Sequence, residues 1–181
     1  MDKKIFRKHM IYITLNEVSL SFIIALIHFL LNMTFLKKYY APLPPMKHEI
    51  MLAIIVAPIA EEVIFRKWIF KFLKKRTKYY NFIQATLFSL WHYNFFQRIY
   101  AFILGIFFGN IIRKYEKIWI TIIFHSFYNL LSIYLRGYYF LFIENIFGTR
   151  NLLTFFVLYV PSIIFFIWTL KKLGYDMYKL W

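Results

Sequence analysis

The chain has 181 residues, of which 61% are hydrophobic and 24% aromatic, and its 23 Lys and Arg residues against 8 Asp and Glu residues give a formal net charge of +15. Only 17% of the residues are charged and the mean hydropathy is +0.56, which leaves too little polar surface for an ordinary soluble domain. The many Phe and Tyr residues exclude disordered and low-complexity classes, and the absence of cysteine excludes disulfides and cysteine-based zinc or redox sites.

Six apolar segments have about the length that a helix needs to cross the hydrocarbon core of a membrane. In chain order they cover residues 11–36, 50–72, 80–96, 99–112, 118–135 and 152–170. The fourth segment is short, and Gly105 and Gly109 within it would let it approach a neighbouring helix closely. Residues 138–147 are too few to cross and predict an interfacial or re-entrant piece. We therefore expect an all-α, polytopic transmembrane helical bundle of about six spanning helices.

The positions of the basic residues distinguish a membrane protein from a nucleic-acid-binding protein. They stand in short runs between the apolar segments, as in residues 67–78. With six crossings, 16 Lys and Arg residues fall on the side of both termini and 6, among them Arg98, fall on the other side. This bias places both termini in the cytoplasm. We expect a multi-pass protein of the cell membrane whose basic residues meet anionic lipid headgroups, and we do not expect nucleic acid as a partner.

Ionisable residues inside the second segment are the first candidates for a functional site, because charged groups are costly within a membrane. Glu62 and Arg66 are i,i+4 neighbours and can neutralise each other. Glu61 is turned about 100° away on the same helix, which leaves its carboxylate for other work. Asn16 and Glu17, near the start of the first segment, are instead expected to lie at the membrane interface.

Two further polar clusters stand in other apolar segments. His92 lies four residues after Phe88 in the third segment, and His125 and Asn129 lie four residues apart on one face of the fifth. Each of these residues alone is more often a satisfied hydrogen-bond partner between helices than a catalytic group. One unpaired carboxylate, two histidines and an amide on three different helices exceed what helix association requires, so we expect them to share one site.

These residues resemble the pattern of a known family. The stretches EEVIFR (61–66), FSLWH (88–92) and HSFYN (125–129) stand in order within apolar segments. They resemble the motifs of the CPBP family, which contains CAAX proteases and bacteriocin-processing enzymes and is also labelled Abi. The resemblance covers about residues 50–135, which we take as the motif-bearing catalytic core of a single integral-membrane domain of residues 1–181.

The resemblance implies peptide-bond hydrolysis inside the membrane. Glu61 would be the general base that activates a water molecule, and His92 would hold that water and share its proton. Glu62 and Arg66 would orient the site.

The resemblance further implies that His125 and Asn129 donate hydrogen bonds to the oxyanion that forms during hydrolysis. A metal mechanism is the alternative, because Glu61, His92 and His125 make a three-ligand zinc set with an open position for water. Asn129 is a poor zinc ligand but a good oxyanion donor. We therefore favour a glutamate-dependent reaction with no metal or other cofactor.

The leading hypothesis is an intramembrane endopeptidase that acts on a small hydrophobic or membrane-anchored peptide, either of the CAAX type or a peptide pheromone or bacteriocin. The alternative is a non-enzymatic membrane immunity or scaffold protein that binds such a peptide and uses the same polar residues to join its helices. An ion or proton transporter is a third class, but no inverted repeat of broken helices supports it.

Overall fold

The computed structural model describes residues 3–33, 47–93, 95–134 and 152–174, with side chains except those of residues 25–33, 47, 96 and 152–159. Within these ranges all regular structure is helical and no strand is present, which confirms the all-α prediction. The helices are α1 (Lys3–Met33), α2 (47–74), α3 (Tyr80–Trp91), α4 (Phe95–Tyr115), α5 (Ile118–Tyr134) and α6 (Leu152–Lys172).

Each of these six helices corresponds to one of the six predicted apolar segments. Over the described ranges, no helix combines the length and the apolar composition that a membrane crossing requires. The number of crossings and the cytoplasmic position of the termini stay predictions. The predicted interfacial piece at 138–147 lies outside the described residues.

The lengths of the third and fourth helices differ from the prediction. The sequence predicts a third segment that runs to residue 96 and a short fourth segment, but α3 has 12 residues and α4 has 21. Helix α3 ends because His92 adopts an extended backbone conformation with φ −84° and ψ 136°. The break falls in the stretch HYNFFQR (92–98), which contains His92, Asn94, Gln97 and Arg98, and the prediction placed the first part of this stretch within the third segment.

Helix α2 alternates between ordinary α-helical turns and wider π-helical turns. The first wide turn, Leu52–Val56, precedes Pro58, which has no N–H for the carbonyl group four residues earlier and whose ring needs space there. The second, Val63–Ile69, ends with a bond from the Phe70 N–H to the Phe65 carbonyl, five residues back. Such turns often occur at functional sites, and this one begins directly after Glu62.

The chain divides into two compact units. The first contains residues 1–51 and 127–174. In it α1 and α6 pack together: the rings of Tyr12 and Trp168 meet edge to face at 5.5 Å, and the Asn16 amide donates to the Thr169 hydroxyl at 2.7 Å. Asn16 and Glu17 are fully buried within the protein, and their position at the membrane interface stays a prediction. Partners on α6 replace water for Asn16, which a reading of α1 alone could not show.

The second unit contains residues 52–126 and 175–181, of which residues 52–93 and 95–126 are described. Its core includes Phe65, Phe88 and Ala101. Helices α3 and α4 pack closely, because a Cβ at Gly105 would come within 2.9 Å of the Ala85 Cα atom and a Cβ at Gly109 would overlap a side-chain amide on α3. The predicted role of the two glycines in close helix packing is confirmed.

The same interface contains three buried amide side chains, which we call the amide cluster: Asn81, Gln84 and Asn110. Asn81 Nδ2 donates to Asn110 Oδ1 at 3.2 Å, and Gln84 Nε2 donates to Asn81 Oδ1 at 3.1 Å and to the Gly105 carbonyl at 2.8 Å. These neutral groups join two apolar helices, as interhelical hydrogen bonds commonly do.

Candidate active site

The centre of the candidate site is an ion pair on α2. Arg66 Nη1 lies 3.2 Å from Glu62 Oε1, and both side chains are fully buried. This is the i,i+4 pair that the spacing predicts. Removing two charges from water costs several kcal/mol per ion. Because the attraction within a close pair regains about the same amount, further contacts must stabilise the Glu62–Arg66 pair.

Aromatic rings on two other helices supply such contacts. The Arg66 guanidinium carbon lies 4.2 Å from the centre of the Phe88 ring on α3 and 5.6 Å from that of the Phe108 ring on α4. Cation–π contacts of this kind are worth about 2 kcal/mol when they are desolvated. Among the described residues, no guanidinium nitrogen of Arg66 has a hydrogen-bond partner, so charge and ring contacts hold this side chain.

His125, on α5, stands between the two adjacent carboxylates of α2. Its Nδ1 atom lies 2.9 Å from Glu62 Oε1, and its Nε2 atom lies 3.6 Å from Glu61 Oε2. A carboxylate accepts hydrogen bonds, so Nδ1 donates to Glu62 and this bond fixes the orientation of the ring. Glu61 therefore faces the nitrogen of the His125 ring that Glu62 does not contact.

Burial separates the two carboxylates. The Glu62 side chain has no exposed surface, whereas 16% of the Glu61 side chain is exposed. We call Glu62, Arg66 and His125 the charged cluster. Glu61 lies at its edge and keeps part of its surface exposed.

His92 follows the last residue of α3. Its Nδ1 atom lies 2.8 Å from the Phe88 carbonyl, and a carbonyl only accepts, so Nδ1 carries the hydrogen and Nε2 of the neutral ring is the acceptor. The Phe88 ring packs edge to face against both His92 and His125, with centroid distances of 4.9 and 5.8 Å. Phe88, the first residue of FSLWH, thus contacts both histidines and Arg66.

Asn129 lies one helical turn beyond His125 on α5 and is half-buried. It belongs to the part of α5 that is assigned to the first unit, whereas Glu61, Glu62, Arg66, His92 and His125 all belong to the second. Successive contacts connect Arg66 to Glu62, Glu62 to His125 and His125 to Glu61, and the Phe88 ring links His92 to them.

Two contributors to the site were not predicted from the sequence. Phe108 is one of 23 Phe residues, and nothing in its local pattern distinguishes it. The charge distribution places Arg98 on the side opposite the termini and gives it no role at the site, yet its Nε atom donates to the His92 carbonyl at 2.8 Å.

A metal site at these residues was the predicted alternative. Within the described ranges, no group of three or more His, Asp and Glu side chains is arranged so that it could hold a metal ion. The zinc set of Glu61, His92 and His125 is thus not assembled in this conformation. The preference for a reaction without a metal stays a prediction.

Comparison with known proteins gives one result. Residues 45–131 match the family model described as Type II CAAX prenyl endopeptidase Rce1-like, a membrane-associated family. No curated protein and no solved structure matches the chain. The matched range includes all three motifs, from Glu61 to Asn129. The match confirms the recognition made from these motifs, because residues 45–131 match a model of the CPBP/CAAX protease family.

Proposed function

We propose that the protein is an intramembrane endopeptidase that hydrolyses a peptide bond in a small hydrophobic or membrane-anchored peptide. The family match supports the reaction class. The observation that carries the proposal is the position of Glu61, a partly exposed carboxylate beside an imidazole whose other nitrogen is held by the buried Glu62–Arg66 pair.

Glu61 acts as the general base. It takes a proton from a water molecule whose oxygen attacks the carbonyl carbon of the scissile bond. It then returns the proton to the leaving nitrogen as the C–N bond breaks. His92 Nε2, the acceptor nitrogen of a ring oriented through Nδ1, holds the water. General-base catalysis of this kind contributes about 10²–10⁴-fold to the rate.

His125 stabilises the oxyanion. Its Nδ1–H is committed to Glu62, so it can donate from Nε2 only as the imidazolium ion. With His125 charged, the four ionisable side chains Glu61, Glu62, Arg66 and His125 have no net charge, which suits an apolar environment. Asn129, one turn further along α5, is the second donor. Preorganised donors of this kind lower a barrier by about 3 kcal/mol each.

The reaction as proposed requires no metal or other cofactor. The protein is a multi-pass protein of the cell membrane with both termini in the cytoplasm, and the CAAX-type, pheromone and bacteriocin peptides are its candidate substrate classes.

Anionic lipid headgroups are the proposed partner of the basic residues. Lys74 Nζ lies 4.0 Å from Glu116 Oε1, which joins the basic run at the end of α2 to the basic run between α4 and α5. The exposed side chains of Trp68 and Trp119 lie beside these runs in the sequence. Basic residues with neighbouring tryptophans are typical of a membrane–water interface.

A quenched peptide tests the reaction. It ends in farnesyl-cysteine, two aliphatic residues and a terminal residue with a free carboxylate, and a second peptide lacks the farnesyl group. We expect the wild type to cleave one or both and Glu61→Gln to lose about 10²–10⁴-fold in kcat, because the amide cannot accept the proton. Glu116→Gln removes a carboxylate that is 79% exposed and is the matched control. Cleavage by Glu61→Gln at the wild-type rate would contradict the proposed mechanism.

The non-enzymatic alternative is tested in cells. Membranes that contain the wild type should yield peptides that are missing when Glu61→Gln replaces it. Identical peptide profiles, together with equal binding of the quenched peptide by both proteins, would favour an immunity or scaffold protein.

A further inference from the structure

The turn after α3 fixes His92 through three hydrogen bonds. The His92 backbone N–H donates to the Ser89 carbonyl at 3.1 Å, and the ring Nδ1–H donates to the Phe88 carbonyl at 2.8 Å. Arg98 Nε donates to the His92 carbonyl at 2.8 Å. Within the described residues, Nε2 is therefore the one polar atom of His92 that has no partner.

The bond from Arg98 differs from the other two. The Ser89 and Phe88 carbonyls belong to the helix that His92 terminates, whereas Arg98 belongs to the first turns of α4. A second bond runs in the opposite direction, since the Ser89 hydroxyl donates to the Arg98 carbonyl at 2.8 Å. The two bonds form a reciprocal clamp between the end of α3 and the start of α4.

We propose that Arg98 is a positioning residue for His92, acting through its Nε–H rather than through its charge. The inference rests on the proposed function, because it assumes that His92 holds the reacting water. Without this bond the His92 carbonyl, just past a helix end, has no partner among the described residues, and the turn can rotate. The ring then keeps its bond to Phe88 but moves relative to Glu61.

The chemistry of the side chains allows the bond and the charge to be separated. Arg98→Gln retains a nitrogen donor attached to Cδ, at the position of the arginine Nε atom, but removes the charge. Arg98→Met has a similar length and no donor. Arg98→Lys retains the charge, but its donor is one atom further from the backbone.

The experiment measures kcat and KM of each variant with the farnesylated quenched peptide. We expect Arg98→Met to lose about 10–100-fold in kcat, the size usual for partners that orient a functional group, with KM unchanged. Arg98→Gln should stay within about threefold of the wild type, since a positioned amide donor replaces the bond. Arg98→Lys should fall below Arg98→Gln.

Thr86 on α3 provides the control. Its hydroxyl also donates to a backbone carbonyl, that of Phe82 at 3.0 Å, but on an exposed surface. Thr86→Val should keep the wild-type kcat, and the thermal midpoints of all variants should be compared to exclude unfolding. If Arg98→Lys is active and Arg98→Gln is not, Arg98 acts by charge and the inference is wrong. A rise in KM at constant kcat would likewise assign Arg98 to substrate binding.

The Ser89 hydroxyl tests whether the clamp acts as one unit. If it does, Ser89→Ala in the Arg98→Met background should cost less in kcat than Ser89→Ala alone, because the clamp is already open. Full additivity would show that the two bonds act independently. Different results would contradict the inference and the proposed function. If Glu61→Gln loses activity and Arg98→Met keeps the wild-type kcat, the inference alone is wrong. If Glu61→Gln keeps wild-type activity, the proposed mechanism is wrong.

Discussion

The charged cluster and the amide cluster are both sets of polar side chains buried in the second unit. They differ in charge and in whether an exposed group adjoins them. The amide cluster is neutral, and its three side chains are at most 3% exposed. Its hydrogen bonds go to atoms of α3 and α4, and these two helices pack tightly around it. The charged cluster instead borders Glu61, a carboxylate that is partly exposed.

The difference shows how to distinguish structural from functional polar residues in an apolar chain. Burial and hydrogen bonding are common to both clusters, so neither property indicates function. The charged cluster differs because it contains a buried ion pair, Glu62–Arg66, whose carboxylate contacts Nδ1 of His125. The Nε2 atom of the same ring faces Glu61, which is only partly buried. The amide cluster joins α3 and α4, whereas the charged cluster positions Glu61.

The largest expected effect separates the two adjacent carboxylates. Glu62→Ala leaves Arg66 as an unpaired buried charge and should lower the free energy of unfolding by about 3–5 kcal/mol. Glu61→Ala removes a partly exposed group and should cost about 1 kcal/mol or less, although it abolishes cleavage. Unfolding of the purified proteins in detergent, followed beside the cleavage rate, measures both effects.

A double variant is the control for this comparison. Glu62→Met combined with Arg66→Met removes both charges and should recover most of the stability that Glu62→Ala loses, but no cleavage. Equal losses of stability in Glu61→Ala and Glu62→Ala would contradict the assignment of a structural role to Glu62 and a catalytic role to Glu61.

The second effect concerns the close packing of α3 and α4 around the amide cluster. A Cβ in Gly105→Ala would meet the Ala85 Cα and Cβ atoms at 2.9 Å, and the backbone atom cannot turn away. Overpacking of this kind costs about 1–3 kcal/mol. We expect a lower unfolding midpoint with an unchanged kcat of the folded enzyme, and Ala85→Gly in the same chain should restore part of the stability. A large change in kcat would connect the amide cluster to the reaction.

The smallest effect concerns the hydrogen bonds within the amide cluster. Asn110→Leu removes the acceptor of one Asn81 bond, while Asn81 Nδ2 keeps the Ile106 carbonyl at 3.3 Å as a second partner. The loss should be about 0.5–1.5 kcal/mol in unfolding free energy, with kcat unchanged. A loss as large as that in Glu62→Ala would remove the energetic contrast between the two clusters.

The sequence predicts the parts of this molecule that depend on local spacing. The six helices follow from the length of apolar segments, the Glu62–Arg66 pair follows from i,i+4 geometry, and the close approach of α4 follows from Gly105 and Gly109. Each of these depends on residues that are near one another along the chain.

Contacts between distant residues could not be predicted in the same way. His125 lies 63 residues after Glu62, and no pattern within α2 shows that one imidazole meets both carboxylates. Asn16 is buried because of Thr169, which is 153 residues away. The end of α3 coincides with the extended backbone of His92, whose carbonyl accepts a hydrogen bond from Arg98 on the next helix.

Phe88 has a consequence for how protons travel. Its ring packs against both imidazoles and lies under the Arg66 guanidinium, yet it has no exchangeable hydrogen of its own. Through this contact the two histidines can influence each other by field and by shape but cannot exchange a proton. A proton that moves between the two histidines must therefore take a route other than the Phe88 ring.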